Sequence, residues 1–222
     1  MSGSHRLLVF FLLLSTTTAL RAQQVRFIPV WGEYPITRDS LNLEGWRFTD
    51  VRSYISDFRI ESGATVFWQD TLPARLIDWL NPDANSFTYR LAQKSDSMRL
   101  CFSLGLDSAL NCNGIRNGVL DPVNGMYWTW QSGFIHLRIE AISPEGKSIE
   151  AHLGGYRAPY ATYNRGCFSS PQPVEELTVL FDLKPVMTAM ISDKTSHIMS
   201  PGAKAQQYFR IAAMGLSLVQ KK

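Results

Sequence analysis

The stretch Val51-Arg-Ser-Tyr-Ile-Ser-Asp-Phe-Arg-Ile60 carries apolar and aromatic residues at the spacing of a half-buried strand. With its flank it predicts one long strand over Trp46–Ile60. Working outward, shorter runs of the same kind recur on both sides. They are Val25–Trp31, Val66–Trp68, Phe87–Leu91, Met98–Leu106, Met126–Ala141, Ser148–Leu153 and Leu177–Leu183. Between them lie Asn-Pro (81–82), Asn-Gly (113–114, 117–118, 124–125), Pro-Glu-Gly (144–146) and Pro-Gln-Pro (171–173), all turn chemistry. Helix signals are few. Leu72–Leu80 reads as one short helix, and Ser200-Pro201 reads as an N-cap with proline at the first position of a C-terminal helix over Ala203–Ala213. Many short strands, little helix and no internal repeat predict an all-β protein. The expected architecture is a single antiparallel β-sandwich with a short C-terminal helix, occupying residues 23–222 as one domain.

Composition excludes several classes. At 18% charged and 45% hydrophobic residues, the chain is neither a disordered polyelectrolyte nor a multi-span membrane protein. The formal charge of +3 includes Arg6 and Arg21, which fall in a leader, so the remainder carries +1 and offers no electrostatic footprint for nucleic acid. Met1–Ala22 reads as a secretory signal peptide. His5 and Arg6 precede the apolar run Leu7–Leu14, and the small residues Ser15–Ala19 follow, with cleavage after Ala19 or Ala22. That run is far short of the roughly 20 residues a membrane span needs, and no other stretch is long or apolar enough. The expected location is periplasmic or secreted.

Three cysteines permit one internal disulfide and leave one thiol. Cys101 sits in an apolar alternating run and reads as a small buried hydrophobe, whereas Cys112 and Cys167 read as lying in Gly/Asn-rich loops and form the preferred pair. The spacing does not choose among the three pairings.

Few residues offer chemistry. The loop Asp107–Pro122 is rich in short oxygen-bearing side chains, and Asp107, Asn111, Asn113 and Asp121 make a candidate calcium loop. The alternative is a set of Asx turns satisfying their own backbone, and that reading has the greater weight. The segment Gly125-Met-Tyr-Trp128-Thr-Trp130-Gln-Ser-Gly-Phe134-Ile-His136 would put Trp128, Trp130, Phe134 and His136 on one face of an unbroken strand, unless Gly133 hosts a bulge. After the leader the histidines are His136, His152 and His197, and Met199 lies two residues beyond the last. Imidazole and thioether are transition-metal donors, but the three histidines are far apart and make no spacing motif. There is no nucleophile elbow, His-Glu-x-x-His or phosphate-cradling glycine loop, so nothing points to an enzyme. Scattered carboxylates leave a hydrolase as a remainder.

The run from Gly105 to Glu140, with Gly-Met-Tyr-Trp-Thr-Trp-Gln-Ser-Gly-Phe at its centre, resembles the MbnP-like copper-binding proteins, exported β-rich companions of methanobactin systems. The resemblance extends to Val51–Ile60, His152-Leu-Gly-Gly155 and Ser196-His-Ile-Met-Ser-Pro-Gly202. It implies copper held by histidine, aided by a tryptophan oxidised to kynurenine, with a di-haem peroxidase-like partner as the agent of that oxidation. Some related copper proteins also carry calcium. Carried onto this chain, the ligand candidates are His152 and His197, with Trp130 favoured over Trp128 as the kynurenine; Met199 and His136 are reserves. Residues 23–86 contain no histidine, so any ligand that relatives draw from there is missing. The rival expectation, from a different class, is a metal-free exported β-sandwich that binds a glycan or a partner protein through exposed aromatics.

Overall fold

The computed structural model describes residues 22–42, 44–91, 97–113, 115–129, 131–170 and 176–220. The signal-peptide reading and Trp130 therefore lie outside the described residues. The strands are β1 (Gln23–Trp31), β2 (Tyr34–Pro35), β3 (Arg47–Ser62), β4 (Thr65–Gln69), β5 (Ala74–Asp78), β6 (Phe87–Tyr89) and β7 (Met98–Leu104). They continue with β8 (Tyr127–Thr129), β9 (Gly133–Ile142), β10 (Ser148–Gly154), β11 (Asn164–Ser170), β12 (Glu176–Asp182), β13 (His197–Ile198) and β14 (Leu216–Gln220). Among the described residues, three α-helices accompany them: α1 (Ser108–Cys112), α2 (Lys184–Ser192) and α3 (Ala203–Met214).

β3 organises the larger sheet, whose order is β11-β7-β3-β9-β10-β13. It pairs with β9 through Arg47–Ser53, with β5 through Arg52–Ser56, with β7 through Ile55–Glu61 and with β4 through Arg59–Ser62. One strand can serve four partners because it is 16 residues long. The smaller sheet runs β14-β12-β1-β2, with β6 also on β1. Inward side chains of both sheets enter one core. Trp79 meets Phe27 edge-on at 5.5 Å and Phe181 at 4.8 Å, and its Nε1 donates to Ser53 Oγ at 2.9 Å. Each such aromatic is fully buried and contributes about 1.5–3 kcal/mol by leaving water. α3 adds Ala205, Tyr208, Phe209 and Ala212, an i, i+3, i+4, i+7 stripe against the same core.

The all-β expectation holds, but the sheets are mixed rather than antiparallel. β1 pairs with β12 and β10 pairs with β13 in parallel. Long excursions separate each pair in sequence, which is what parallel pairing requires. Leu72–Leu80 is not a helix: Ala74–Asp78 is a strand, because the ladder offered by β3 outweighs a weak helical pattern. Met126–Ala141 is not one strand but a hairpin of β8 and β9, with Gly133 at φ +76° where the chain re-enters the sheet. The C-terminal helix is where it was expected, although Gly202, not Ser200, precedes its first residue. The preferred Cys112–Cys167 disulfide is also corrected. Cys101 and Cys167 are bonded, being register partners on β7 and β11, and Cys112 is a free, exposed thiol on α1.

Candidate metal centre

Alternation along β9 and β10 sorts the sheet into two faces. Leu137, Ile139, Ala141, Ile149, Ala151 and Leu153 point into the core. The residues between them share the other face, and the register lines them up across four strands. Asp50, Glu140, Glu150 and His197 form one row; Arg52, Arg138 and His152 form the next. An acidic row thus lies beside a basic one, and a histidine closes each.

The rows are cross-linked. Arg52 donates to Asp50 from Nε at 2.8 Å and from Nη2 at 2.5 Å. Arg138 grips Glu140 Oε1 with Nε at 2.8 Å and Nη2 at 2.5 Å, and its Nε is 3.0 Å from Asp50. His152, only 6% exposed, brings Nε2 to within 2.9 Å of Glu140 Oε1. Burial acts to raise the Glu140 pKa, but hydrogen bonds from His152 and Arg138 outweigh it and hold the carboxyl below its ordinary value. His197 is far more open: Nδ1 is 3.0 Å from Ser196 Oγ, and Nε2 stands 3.9 Å from Glu150.

Three segments that are distant in sequence meet beside His152. Gly154 lies under the Trp128 indole: a Cβ there would fall 2.7 Å from the ring and 2.5 Å from the Phe134 carbonyl oxygen. Gly155 has φ +142°, and a Cβ on it would be 2.7 Å from the Tyr160 carbonyl oxygen and 3.3 Å from Pro201. Two glycines after His152 therefore let the β8–β9 hairpin close on one side and the 196–202 segment on the other. A pocket of about 110 Å³ opens between them, lined by Gln131, Ser132, Gly155, Tyr156, Tyr160 and Pro201. The Trp128 Nε1 is buried and has no hydrogen-bond partner among the described residues. Met199, in the same segment as Pro201, is half exposed.

His136 does not join this group. It is fully buried, its Nδ1 donates to the Thr162 carbonyl at 2.7 Å, and its Nε2 accepts from Asn111 Nδ2 at 2.7 Å. Both ring nitrogens are spent on structure. Burial drives its pKa down to about 4, against the opposing hydrogen bond to Thr162.

The oxygens of the candidate calcium loop are likewise committed locally. Asp107 caps α1 by accepting from the Leu110 N–H, and Asp121 caps a 3-10 turn by accepting from Val123. Asn111 Oδ1 accepts from the Phe134 N–H, and Asn113 ends α1 through its backbone. Among the described residues, the one set of three His, Cys, Asp or Glu donor atoms lying within 4.8 Å of one another is Glu61, Cys101 and Cys167, and the disulfide removes two of its donors.

Glu140 was missed by sequence reasoning. Alternation alone puts it on a polar face, but its meeting with His152 depends on the β9–β10 register, which no motif reports.

The family model described as MbnP matches residues 21–200. Among solved structures, the chain is similar to MbnP from Methylosinus trichosporium, at 15% identity and a TM-score of 0.49, over 76% of this chain and 78% of that one. No curated protein matches it.

Proposed function

The chain belongs to the MbnP family, and on that premise we propose that it is an exported, non-catalytic protein that binds copper for acquisition or handling. The observation that carries the reading is the convergence at His152-Leu-Gly154-Gly155, where close packing draws the Trp128 hairpin and the His197–Pro201 segment to the same place. His152 and His197 would supply imidazoles, and Met199 a soft thioether, a donor set that suits Cu(I) at low coordination number. Trp130, as kynurenine, is the proposed further contributor, formed by a di-haem peroxidase-like partner; Trp128 is the rival. The donor set fits copper on one local ground: the Glu140 carboxylate backs His152, an arrangement common behind metal-bound imidazoles.

The test is elemental analysis with intact and peptide masses on protein purified from its native source. Copper near one equivalent, with the mass change of kynurenine on the peptide containing Trp128 and Trp130, is the expected result. Copper retained unchanged after His152→Ala combined with His197→Ala would sink the assignment of ligands. The metal-free reading has its own observation in Tyr156 and Tyr160, which line the pocket and could stack on a sugar ring. Retention on immobilised glycans after complete chelation would favour it.

A further inference from the structure

We propose that Glu140 is a positioning residue that fixes the His152 tautomer, so that His152 offers Nδ1, and not Nε2, to a metal. The inference rests on the copper reading above and adds which atom of His152 serves it.

The argument begins with what a carboxylate can do. Ionised Glu140 can only accept hydrogen bonds, so at 2.9 Å the proton between it and His152 belongs to Nε2. A neutral imidazole with Nε2–H has its lone pair on Nδ1, and that nitrogen makes no hydrogen bond to any described residue. Glu140 is itself held still. Two Arg138 nitrogens reach its Oε1, at 2.8 Å and 2.5 Å, and Arg138 Nη1 donates to the Gly125 carbonyl at 3.1 Å. Arg52, clamped on Asp50, donates to the neighbouring Asn124 carbonyl at 2.5 Å. Asn124 and Gly125 directly precede the segment that bears Trp128. Arg138 therefore fixes the carboxylate behind His152, and with Arg52 it holds the base of the hairpin that packs over Gly154. His197 lacks the equivalent support, since its carboxylate neighbour is 3.9 Å away.

His136 supplies an internal reference. The carbonyl of Thr162 forces the opposite tautomer on it, with the proton on Nδ1 and the lone pair on Nε2. Long-range ¹H–¹⁵N correlation spectra of histidine-labelled apo protein, recorded with both rings neutral, should therefore show two histidines locked in opposite tautomers. Glu140→Leu keeps the side-chain volume and removes the acceptor. It should leave His136 unchanged, release His152 into a tautomer mixture and weaken Cu(I) binding by about 10–100-fold in competition against a chromophoric chelator. Glu140→Gln keeps an acceptor oxygen and should retain more of both the tautomer and the affinity.

A His152 found with its proton on Nδ1 in the wild type overturns the proposal. So does a His152 signal or a Cu(I) affinity untouched by Glu140→Leu while the His136 signal reports an intact fold. A locked His152 in a protein that binds no Cu(I) overturns the copper reading, and with it the purpose assigned to Glu140. Tight Cu(I) binding with an unbiased His152 overturns the role of Glu140 alone.

Discussion

His136 and His152 are the same side chain on adjacent strands, and their surroundings give them opposite uses. His136 has exchanged water for two fixed partners, Thr162 and Asn111, and it knits the end of α1 to the loop ahead of β11. A pKa of about 4 in the folded state against about 6.5 in the unfolded chain means that the unfolded chain takes up its proton first. The resulting stability is intact above pH 6.5, declines as pH falls and is fully lost below about pH 4, a change of roughly 3 kcal/mol. Urea unfolding between pH 7.5 and 4 should show this slope, and His136→Gln should flatten it while costing about 1–3 kcal/mol at neutral pH. A wild-type slope unchanged by the substitution would assign the acid sensitivity elsewhere. Gly154 makes a second prediction at this scale. Gly154→Ala puts a methyl 2.5 Å from a backbone oxygen, which cannot swing away as a side-chain end can. A loss of about 1–3 kcal/mol is expected, with a change in tryptophan fluorescence as Trp128 is displaced.

At the scale of elements, the hairpin of β8 and β9 depends on polar contacts made outside its own short ladder. β8 is three residues long, and the loop before it is tied to the sheet by Arg52 and Arg138 through the Asn124 and Gly125 carbonyls. Arg138→Met should leave Glu140 without its arginine, take one of two arginines from Asp50 and release one of those ties. Both acids keep some access to water, so the expected cost is about 1.5–3 kcal/mol rather than that of a fully buried pair. Amide exchange should accelerate across residues 127–129 more than across β12, and uniform acceleration would deny the local role. The elements legible in the sequence were those that carry their own pattern, such as Val25–Trp31 and Val51–Ile60. Those missed were recruited by neighbours. Asn164–Ser170 is polar and contains glycine, yet it pairs along the whole of β7 and is bonded to it through Cys167. Ala74–Asp78 became a strand because β3 had a free ladder to offer, a tertiary fact with no local signature. The parallel pairing of β1 with β12 is of the same kind, since nothing in either segment announces its partner.

Across the whole molecule, segments that carried the family resemblance also meet beside His152, so the neighbourhood of the candidate site was legible in the sequence. Its internal wiring was not. Which acid stands behind which histidine is decided by register across β3, β9, β10 and β13, and a one-residue slip would replace Glu140 with a core residue. The disulfide was misread for a related reason. Exposure and glycine content described Cys112 and Cys167 individually, whereas bonding is a property of a pair, and strand pairing put Cys101 opposite Cys167. That bond closes a span of 66 residues and fastens β11, the last strand at its end of the larger sheet. Loss of the link in Cys101→Ser combined with Cys167→Ser should lower stability by about 2–4 kcal/mol, chiefly by freeing the unfolded chain. Non-reducing peptide mapping of the wild type should recover Cys101 joined to Cys167, with Cys112 alone open to alkylation. His152 itself lies toward the other end of the strand order, with β7, β3 and β9 between it and β11, so the double variant, while folded, should bind Cu(I) within about twofold of wild type. A large fall in affinity in the folded variant would mean that the two ends of the sheet are mechanically coupled; an unchanged affinity beside a lowered unfolding midpoint would mean that the bridge serves the fold and the arginine-backed histidine serves the metal.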